Sequence, residues 1–499
     1  MADGLQDVAE RAFEDPRQLL IGGEWMPAAG GAVVEVEDPA AAEVVGEVAD
    51  AGPLDGERAL ASAWRAQRTW ASTPPWDRAE ILRATHEAMV ADAGRLAALL
   101  TLETGKPLAE AEAEVSYSAD FMRWYADLAP QASGRYRAAP QGGMRLLTIP
   151  QAVGPCLLIC PWNLPLAMAA RKVAPAIAAG CTFVLKPAGQ TPLTTLAFAE
   201  LLERCGLPPG VSNVLTTSDA GALTAPLIAD PRLRKLSFTG STEVGTGLLR
   251  MAADGVKRTS MELGGNAPLI VFADCDFDHA IEQTAIATLR NAGQSCIAAN
   301  RIYVERRILA DFATALAERL AEIGAGPPVG IGPLIDARAR EGVERIVDSA
   351  VGAGASILTG GERLDGPGYY YAPTLLSEVP SDSPAVTTEI FGPAAAINPF
   401  DGEEEVVAAA NSIGGGLVSY VFSRDLDRVL RLGDRLDTGM VGINRGVVSN
   451  AAAPFGGVKE SGLGREGGEE GLREYQELKY LAIDGEPGVP ELATALTMG

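Results

Sequence analysis

Histidine is almost absent from this chain: His86 and His279 are the only two among 499 residues. Both fall in polar, helix-like surroundings and read as solvated helix residues. A Ser-His-Asp triad or a histidine-rich site is hard to build from them, so no metal is expected. Cysteine is sparse too, six in all, and Cys156 and Cys160 lie four apart, outside a CxxC spacing. That excludes a disulfide framework and points to reduced thiols. Long apolar runs are missing: the run from Val173 to Leu185 falls short of the roughly 18 residues that a membrane helix needs. The start, Met1 to Asp7, lacks a basic region followed by an apolar one, so no signal peptide is expected and the chain reads as cytoplasmic. An excess of positive charge is missing as well. The formal net charge of −24 repels phosphate backbones and anionic lipid, which disfavours nucleic acid and membrane partners and leaves a small molecule. Cysteine chemistry here must find a base other than imidazole, and a carboxylate is the natural substitute.

What is present is apolar bulk in an alternating pattern. Hydrophobic residues make up 47% of the chain, enough for two or three domains at this length. The stretch up to about Leu54 reads as short strands, and Asp55 to about Leu128 as helices with apolar positions at three and four. Residues Pro130 to Pro140 form a polar break, and Met144 to Ile149 an exposed strand. From Gly154 strands and helices alternate, which predicts a parallel sheet covered on both faces, with ligands at the C-terminal ends of its strands. A second α/β stretch runs from near Ser260 to about Ala410. The apolar segment Leu478 to Ile483 reads equally as a strand that pairs with another subunit or as an edge strand of its own sheet.

Five segments carry candidate chemistry. In Asn291-Ala292-Gly293-Gln294-Ser295-Cys296, the thiol of Cys296 is either nucleophilic, if a helix N-terminus just past it lowers its pKa, or an inert buried cysteine. In Met261-Glu262-Leu263-Gly264-Gly265, Glu262 stands among apolar residues beside two glycines that permit close backbone approach. That suits a general base of raised pKa, or a helix cap. In Phe238-Thr239-Gly240-Ser241-Thr242-Glu243-Val244-Gly245, a strand enters a glycine turn that opens a helix; it is an anion site or an ordinary turn. Pro161-Trp162-Asn163-Leu164-Pro165 follows a strand directly, where Asn163 can donate to an oxyanion or merely sit in a proline-braced loop. In Glu389-Ile390-Phe391-Gly392-Pro393, the carboxylate can hold ribose hydroxyls and the ring can pack on a flat ligand, unless the segment is only a turn.

Together, and in this order, the five segments resemble the aldehyde dehydrogenase superfamily from about Leu20 to Ala482. The resemblance implies an α/β fold with a Rossmann-like cofactor domain (1–132 and 150–259) and an α/β catalytic domain (260–440). It also implies a small β oligomerisation arm (133–149 and 478–499), a return segment (441–477) and assembly as a homodimer or homotetramer. Glu103-Thr104-Gly105-Lys106-Pro107, Arg171-Lys172-Val173, Pro454-Phe455-Gly456-Gly457-Val458-Lys459 and Ser461-Gly462-Leu463-Gly464-Arg465-Glu466-Gly467 look most like the succinate-semialdehyde dehydrogenase subfamily. That likeness assigns Cys296 as nucleophile, Asn163 as oxyanion donor, and Glu262 as base helped by Lys172. A substrate carboxylate would lie on Arg171, Arg290 and Ser449, the usual work of a guanidinium fork. A dinucleotide would lie along Trp162, Lys186, Gly189, Gly240, Ser241, Gly245, Leu263, Glu389 and Phe391. Glu is common in NAD enzymes at the position of Gly189. Its absence beside Lys186 favours NADP over NAD. Three positions depart from the subfamily pattern: Leu164 stands for Phe, Arg445 for a small or acidic residue, and Ala298 for a second cysteine.

Overall fold

Helices and short buried strands alternate after Gly154, and they build the sheet the pattern predicts. The computed structural model describes residues 18–326 and 330–485; the outer parts of the expected cofactor domain (1–17) and arm (486–499) lie outside the described residues. The first sheet has eight strands in the order Glu24–Met26, Leu19–Ile21, Ser212–Val214, Phe183–Lys186, Cys156–Ile159, Lys235–Thr239, Arg258–Glu262, Gly462–Leu463. Its five central strands are parallel. Chain order reverses between Cys156–Ile159 and Lys235–Thr239, so the crevice beyond their C-terminal ends is where a ligand binds in such a sheet. Pro161–Pro165 and Gly240–Gly245 both leave from that crevice.

The helix Pro165–Ala179 follows the first of these strands and is buried along its whole length. Proline at its first position and Gly180 in the left-handed conformation after it (φ 85°) set its ends. Small side chains let it pack between the sheet and the helix Leu108–Leu128, and that burial makes Arg171 and Lys172 charges without water. Two carboxylates from the helical layer close helix N-termini. Glu114 Oε1 accepts from the Leu166 and Ala167 amides at 3.1 and 3.2 Å. Glu103 accepts from Leu193 and Thr194 at 2.6 and 3.1 Å. Asp219 does the same for the helix Ala220–Ala229. The helix Thr242–Asp254 is capped instead by the neutral hydroxyl of Ser241. Of these four helices it alone has no capping carboxylate, although Glu243 stands in its first turn.

The second sheet has seven strands in the order Ser356–Thr359, Thr374–Ser377, Ala394–Phe400, Ala299–Glu305, Ala267–Val271, Val418–Phe422, Met440–Ile443. Arg258–Glu262 still pairs within the first sheet, and Met440–Ile443 within the second. The strand Gln476–Asp484 pairs antiparallel with Met144–Ala152, which pairs with Arg135–Ala138. The segment near Leu478 is thus an edge strand of a three-stranded sheet, and part of the expected polar break is a strand. His279 is exposed, but His86 is half-buried with Nδ1 3.0 Å from the Ala119 carbonyl, so it is not the solvated residue expected. Among the described residues no helix is long and apolar enough to cross a membrane.

Arg301, in the central strand Ala299–Glu305, is buried with its guanidinium on three carbonyls. Nε, Nη1 and Nη2 donate to Asn266, Ala409 and Ala410, each at 3.0 Å. Arg301→Met strands these acceptors and is expected to cost on the order of 3–5 kcal/mol. Scanning calorimetry will show a lower unfolding temperature, with Arg301→Lys recovering only part, because one ammonium cannot span three carbonyls.

Candidate active site

The five segments come together where the first sheet ends and the second begins. Glu262 is the last residue of its strand; Leu263 to Asn266 then crosses into Ala267–Val271 of the second sheet. The two glycines of this crossing make room. A Cβ on Gly265 would lie 2.7 Å from the Cys296 carbonyl, and one on Gly264 would lie 2.6 Å from Glu389 Oε2. Gly293 does the same for the fifth segment, since its Cβ would lie 2.0 Å from the Gly392 carbonyl. Trp162 and Phe391 meet edge to face, ring centroids 5.3 Å apart. Lys172 Nζ bonds Thr239 Oγ1 at 2.7 Å, which ties the third segment to the buried helix.

Cys296 follows a run of three left-handed residues, Asn291, Ala292 and Gly293 (φ 55, 54 and 70°). Only glycine takes this conformation freely, so the loop is held from outside. Glu110 accepts the Asn291 amide at 2.8 Å, and Asn291 Nδ2 donates to the carbonyls of Asn163 and Gln294 at 3.0 and 3.1 Å. Gln294 in turn donates to the Pro333 carbonyl and accepts from the Ile335 amide. The expected helix just past Cys296 is absent. A tight turn closed by Ala298 N–H on the Ser295 carbonyl leads straight into the strand Ala299–Glu305. With no helix dipole available, enclosure by protein pushes the thiol pKa up to about 12. Arg171 and the residue's own backbone N–H oppose this, and the carboxyls of Glu389 and Glu262 add to it. The sequence-based expectation of a lowered pKa is thus reversed.

Asn163 is buried. Its Nδ2 donates to the Gln294 carbonyl at 3.0 Å, which engages one of its two N–H groups. Glu262 is buried with both carboxyl oxygens unpartnered. Burial first, then the nearby charge of Glu466, raises its pKa well above the carboxylate range, against the pull of Arg171, Lys172 and Arg465. Lys172 is turned to Glu466, with which it forms a buried ion pair. Arg171 shares that carboxylate at 2.7 Å and lies over the Phe455 ring, 4.0 Å from its centroid, with Nε unpartnered. The two cations hold Glu466 below the ordinary carboxylate range despite its burial. Arg290 and Ser449 are half-buried and stand outside this network; the charge of Arg290 is felt by Glu110 and Tyr420 beside the cysteine loop.

Glu389 accepts from the Gly265 amide at 3.3 Å, and burial pushes its pKa up to about 8. A Cβ on Gly245 would lie 2.3 Å from Leu263 Cδ2, so this glycine lets Leu263 sit against the first turn of Thr242–Asp254. Gly240 lies under the Phe238 ring in the same way. Lys186 and Gly189 line a cavity of about 460 Å³ together with Gln190, Ser218, Glu35 and Glu37. Burial lowers the Lys186 pKa. Among the described residues no cluster of histidine, cysteine, aspartate and glutamate is arranged to hold a metal ion.

Sequence reasoning assigned no role to Glu466, Thr239, Glu110 or Glu114. Glu466 lies in the glycine-rich stretch Ser461 to Gly467, but next to Arg465 and among Lys459, Glu460, Glu469 and Glu470, so local sequence does not single it out. Glu110 and Glu114 are hidden in the alternation from Ala109 to Glu114, where only the helical i, i+4 spacing separates the two inward carboxylates from Glu112.

The aldehyde dehydrogenase family model matches residues 25–481. A succinate-semialdehyde dehydrogenase of Paenarthrobacter nicotinovorans is 49% identical over 87% of this chain and 98% of that protein. A glutarate-semialdehyde dehydrogenase of Pseudomonas putida is 45% identical over 94% and 98%. Among solved structures, an NADP-dependent enzyme of Escherichia coli superposes with a TM-score of 0.92 at 44% identity, covering 94% of this chain and 98% of that one. A betaine aldehyde dehydrogenase of Staphylococcus aureus in complex with NAD+ superposes with a TM-score of 0.94 at 33% identity, over 98% and 99%.

A thiol with a pKa near 12 is a slow nucleophile at neutral pH in the free protein. Alkylation of Cys296 by iodoacetamide, followed by peptide mass spectrometry, will rise about tenfold per pH unit from pH 7 to 9 with no plateau; a plateau below pH 8 contradicts the enclosed thiol.

Proposed function

We propose, since this chain belongs to the aldehyde dehydrogenase family, that it oxidises succinate semialdehyde to succinate through a thioester on Cys296, with NADP as the preferred dinucleotide. The observation that carries the substrate is the buried charge cluster. Two cations, Arg171 and Lys172, share the single carboxylate of Glu466, and burial disfavours the charged form of Glu262 beside them. A cation with an unpartnered Nε inside a chain of net charge −24 is matched by an aldehyde that carries a carboxylate. Arg290 and Ser449 complete that pocket in this reading, and glutarate semialdehyde, one methylene longer, is the neighbouring alternative.

Cys296 reacts as its thiolate fraction, the thiol proton passing to solvent water, and Sγ adds to the aldehyde carbon. The free N–H of the Asn163 amide and the Cys296 backbone N–H stabilise the oxyanion; one such donor is worth roughly 3–4 kcal/mol of barrier. The dinucleotide, when bound, supplies the hydride acceptor. Glu262 then takes a proton from the water that attacks the thioester, and Lys172 acts on it at one remove, by holding Glu466. The helix Thr242–Asp254, free of a capping carboxylate, suits the pyrophosphate. Trp162, Gly240, Ser241, Gly245 and Leu263 line its approach in this proposal, with Glu389 and Phe391 at the ring end and Lys186 and Gly189 at the adenosine end. A 2′-phosphate fits beside Lys186, and the absence of an acid at Gly189 removes one repulsion. NAD is the second reading, favoured by Glu35 and Glu37 in the same cavity. The free edge and exposed Leu478, Tyr480 and Ile483 of Gln476–Asp484 support a homodimer or homotetramer, and six free thiols suit a reducing cytoplasm.

Glu262→Gln tests the base. Because Glu262 must ionise to work and its pKa is raised, deacylation in the wild type will quicken as pH rises. The variant will accumulate acyl-enzyme, visible by intact-mass spectrometry; unchanged turnover with no adduct contradicts the assignment. Arg171→Ala tests the substrate. With an aldehyde panel and both dinucleotides, kcat/KM for succinate semialdehyde is expected to fall at least about 100-fold, with a neutral aldehyde spared. NADP will exceed NAD until Lys186→Ala equalises them.

A further inference from the structure

An oxyanion donor is only as well placed as the backbone that carries it, and the backbone of Asn163 is gripped by a buried ion pair remote from the reacting atoms. Lys106 Nζ donates to the Asn163 carbonyl at 3.0 Å and pairs with Glu114 Oε2 at 2.6 Å. Both side chains are 3% exposed or less. The other oxygen of Glu114 caps Leu166 and Ala167, the start of the helix that follows Asn163. One turn earlier on the same face of Leu108–Leu128, Glu110 holds the Asn291 amide, and Asn291 Nδ2 donates to that same Asn163 carbonyl. A single helix face therefore grips the loop of the oxyanion donor and the loop of the nucleophile.

An ion pair this deep is a poor means to stability alone, because well-packed apolar residues of equal volume do as well or better. An apolar pair cannot hold a carbonyl in place. We propose that Lys106, Glu110 and Glu114 are positioning residues that set Asn163 Nδ2 against Cys296 Sγ for oxyanion stabilisation. The inference rests on the mechanism proposed above. It adds that the distance between donor and nucleophile is set from the cofactor side of the molecule, by residues that touch neither substrate nor dinucleotide.

The test is a double-mutant cycle on the full-length enzyme with succinate semialdehyde and NADP. Lys106→Met is expected to lower kcat about 10- to 100-fold, the effect of misplacing a catalytic group by about 1 Å. KM for both substrates and the pH profile should stay unchanged, since neither binding nor the base is touched. In the Asn163→Ala background the same change should cost less than about twofold, because the donor it positions is gone. Glu110→Gln, nearly isosteric, carries the same cycle if Lys106→Met does not fold. Equal losses in both backgrounds, or a loss carried by KM, overturn the proposal. Wild-type turnover by Asn163→Ala alone removes Asn163 from the mechanism, and this inference falls with it. A slow Asn163→Ala with additive Lys106→Met leaves the mechanism standing and discards only the positioning role.

Discussion

The carboxylate of Glu466 is shared by two cations that have no water, and much of the site depends on that sharing. Arg171 and Lys172 are consecutive on a wholly buried helix. Their partner comes from nearly three hundred residues further along the chain. Without it two unpaired charges would sit in the core at a cost of several kcal/mol each. The pair therefore fastens the C-terminal glycine-rich segment to the first sheet, and that segment brings Phe455 under Arg171 and Gly456 beside Glu262. The same charges act on Glu262, where burial and Glu466 raise the pKa against Arg171, Lys172 and Arg465. One interaction thus joins chain closure, the orientation of the Arg171 guanidinium and the charge environment of Glu262.

A second constraint governs where anions go. Helix N-termini around a parallel sheet all attract negative charge. Here Glu114, Glu103 and Asp219 occupy three of them. The chain uses its own acids to close the wrong sites, which leaves Thr242–Asp254 at the switch point of the sheet. In a strongly acidic protein, anion sites of this kind depend on local positive potential rather than on net charge.

Glycine sets the remaining geometry. Gly264, Gly265 and Gly293 are points where a Cβ would fall within 2.7 Å of Glu389, Cys296 or Gly392. The Cys296 loop is pressed between them in a left-handed run that its neighbours enforce. That packing encloses the sulfur and explains why its pKa lies high in the free protein rather than low.

The sequence alone determined the alternation that builds the first sheet, the scarcity of histidine, and the five segments that meet. Each is written in local pattern: periodicity, composition, or a carboxylate beside glycines. The resemblance to a known family tied those segments to one chemistry. Tertiary structure decided what local pattern cannot carry. It replaced the expected helix after Cys296 with a turn, because the strand Ala299–Glu305 begins too soon. It turned Lys172 toward Glu466, and it drew Lys106, Glu110 and Glu114 behind Asn163. Those outcomes depend on burial and on partners distant in the chain, and the strength of a charge or a hydrogen bond is set by the water excluded around it, a quantity that exists only once the chain has folded.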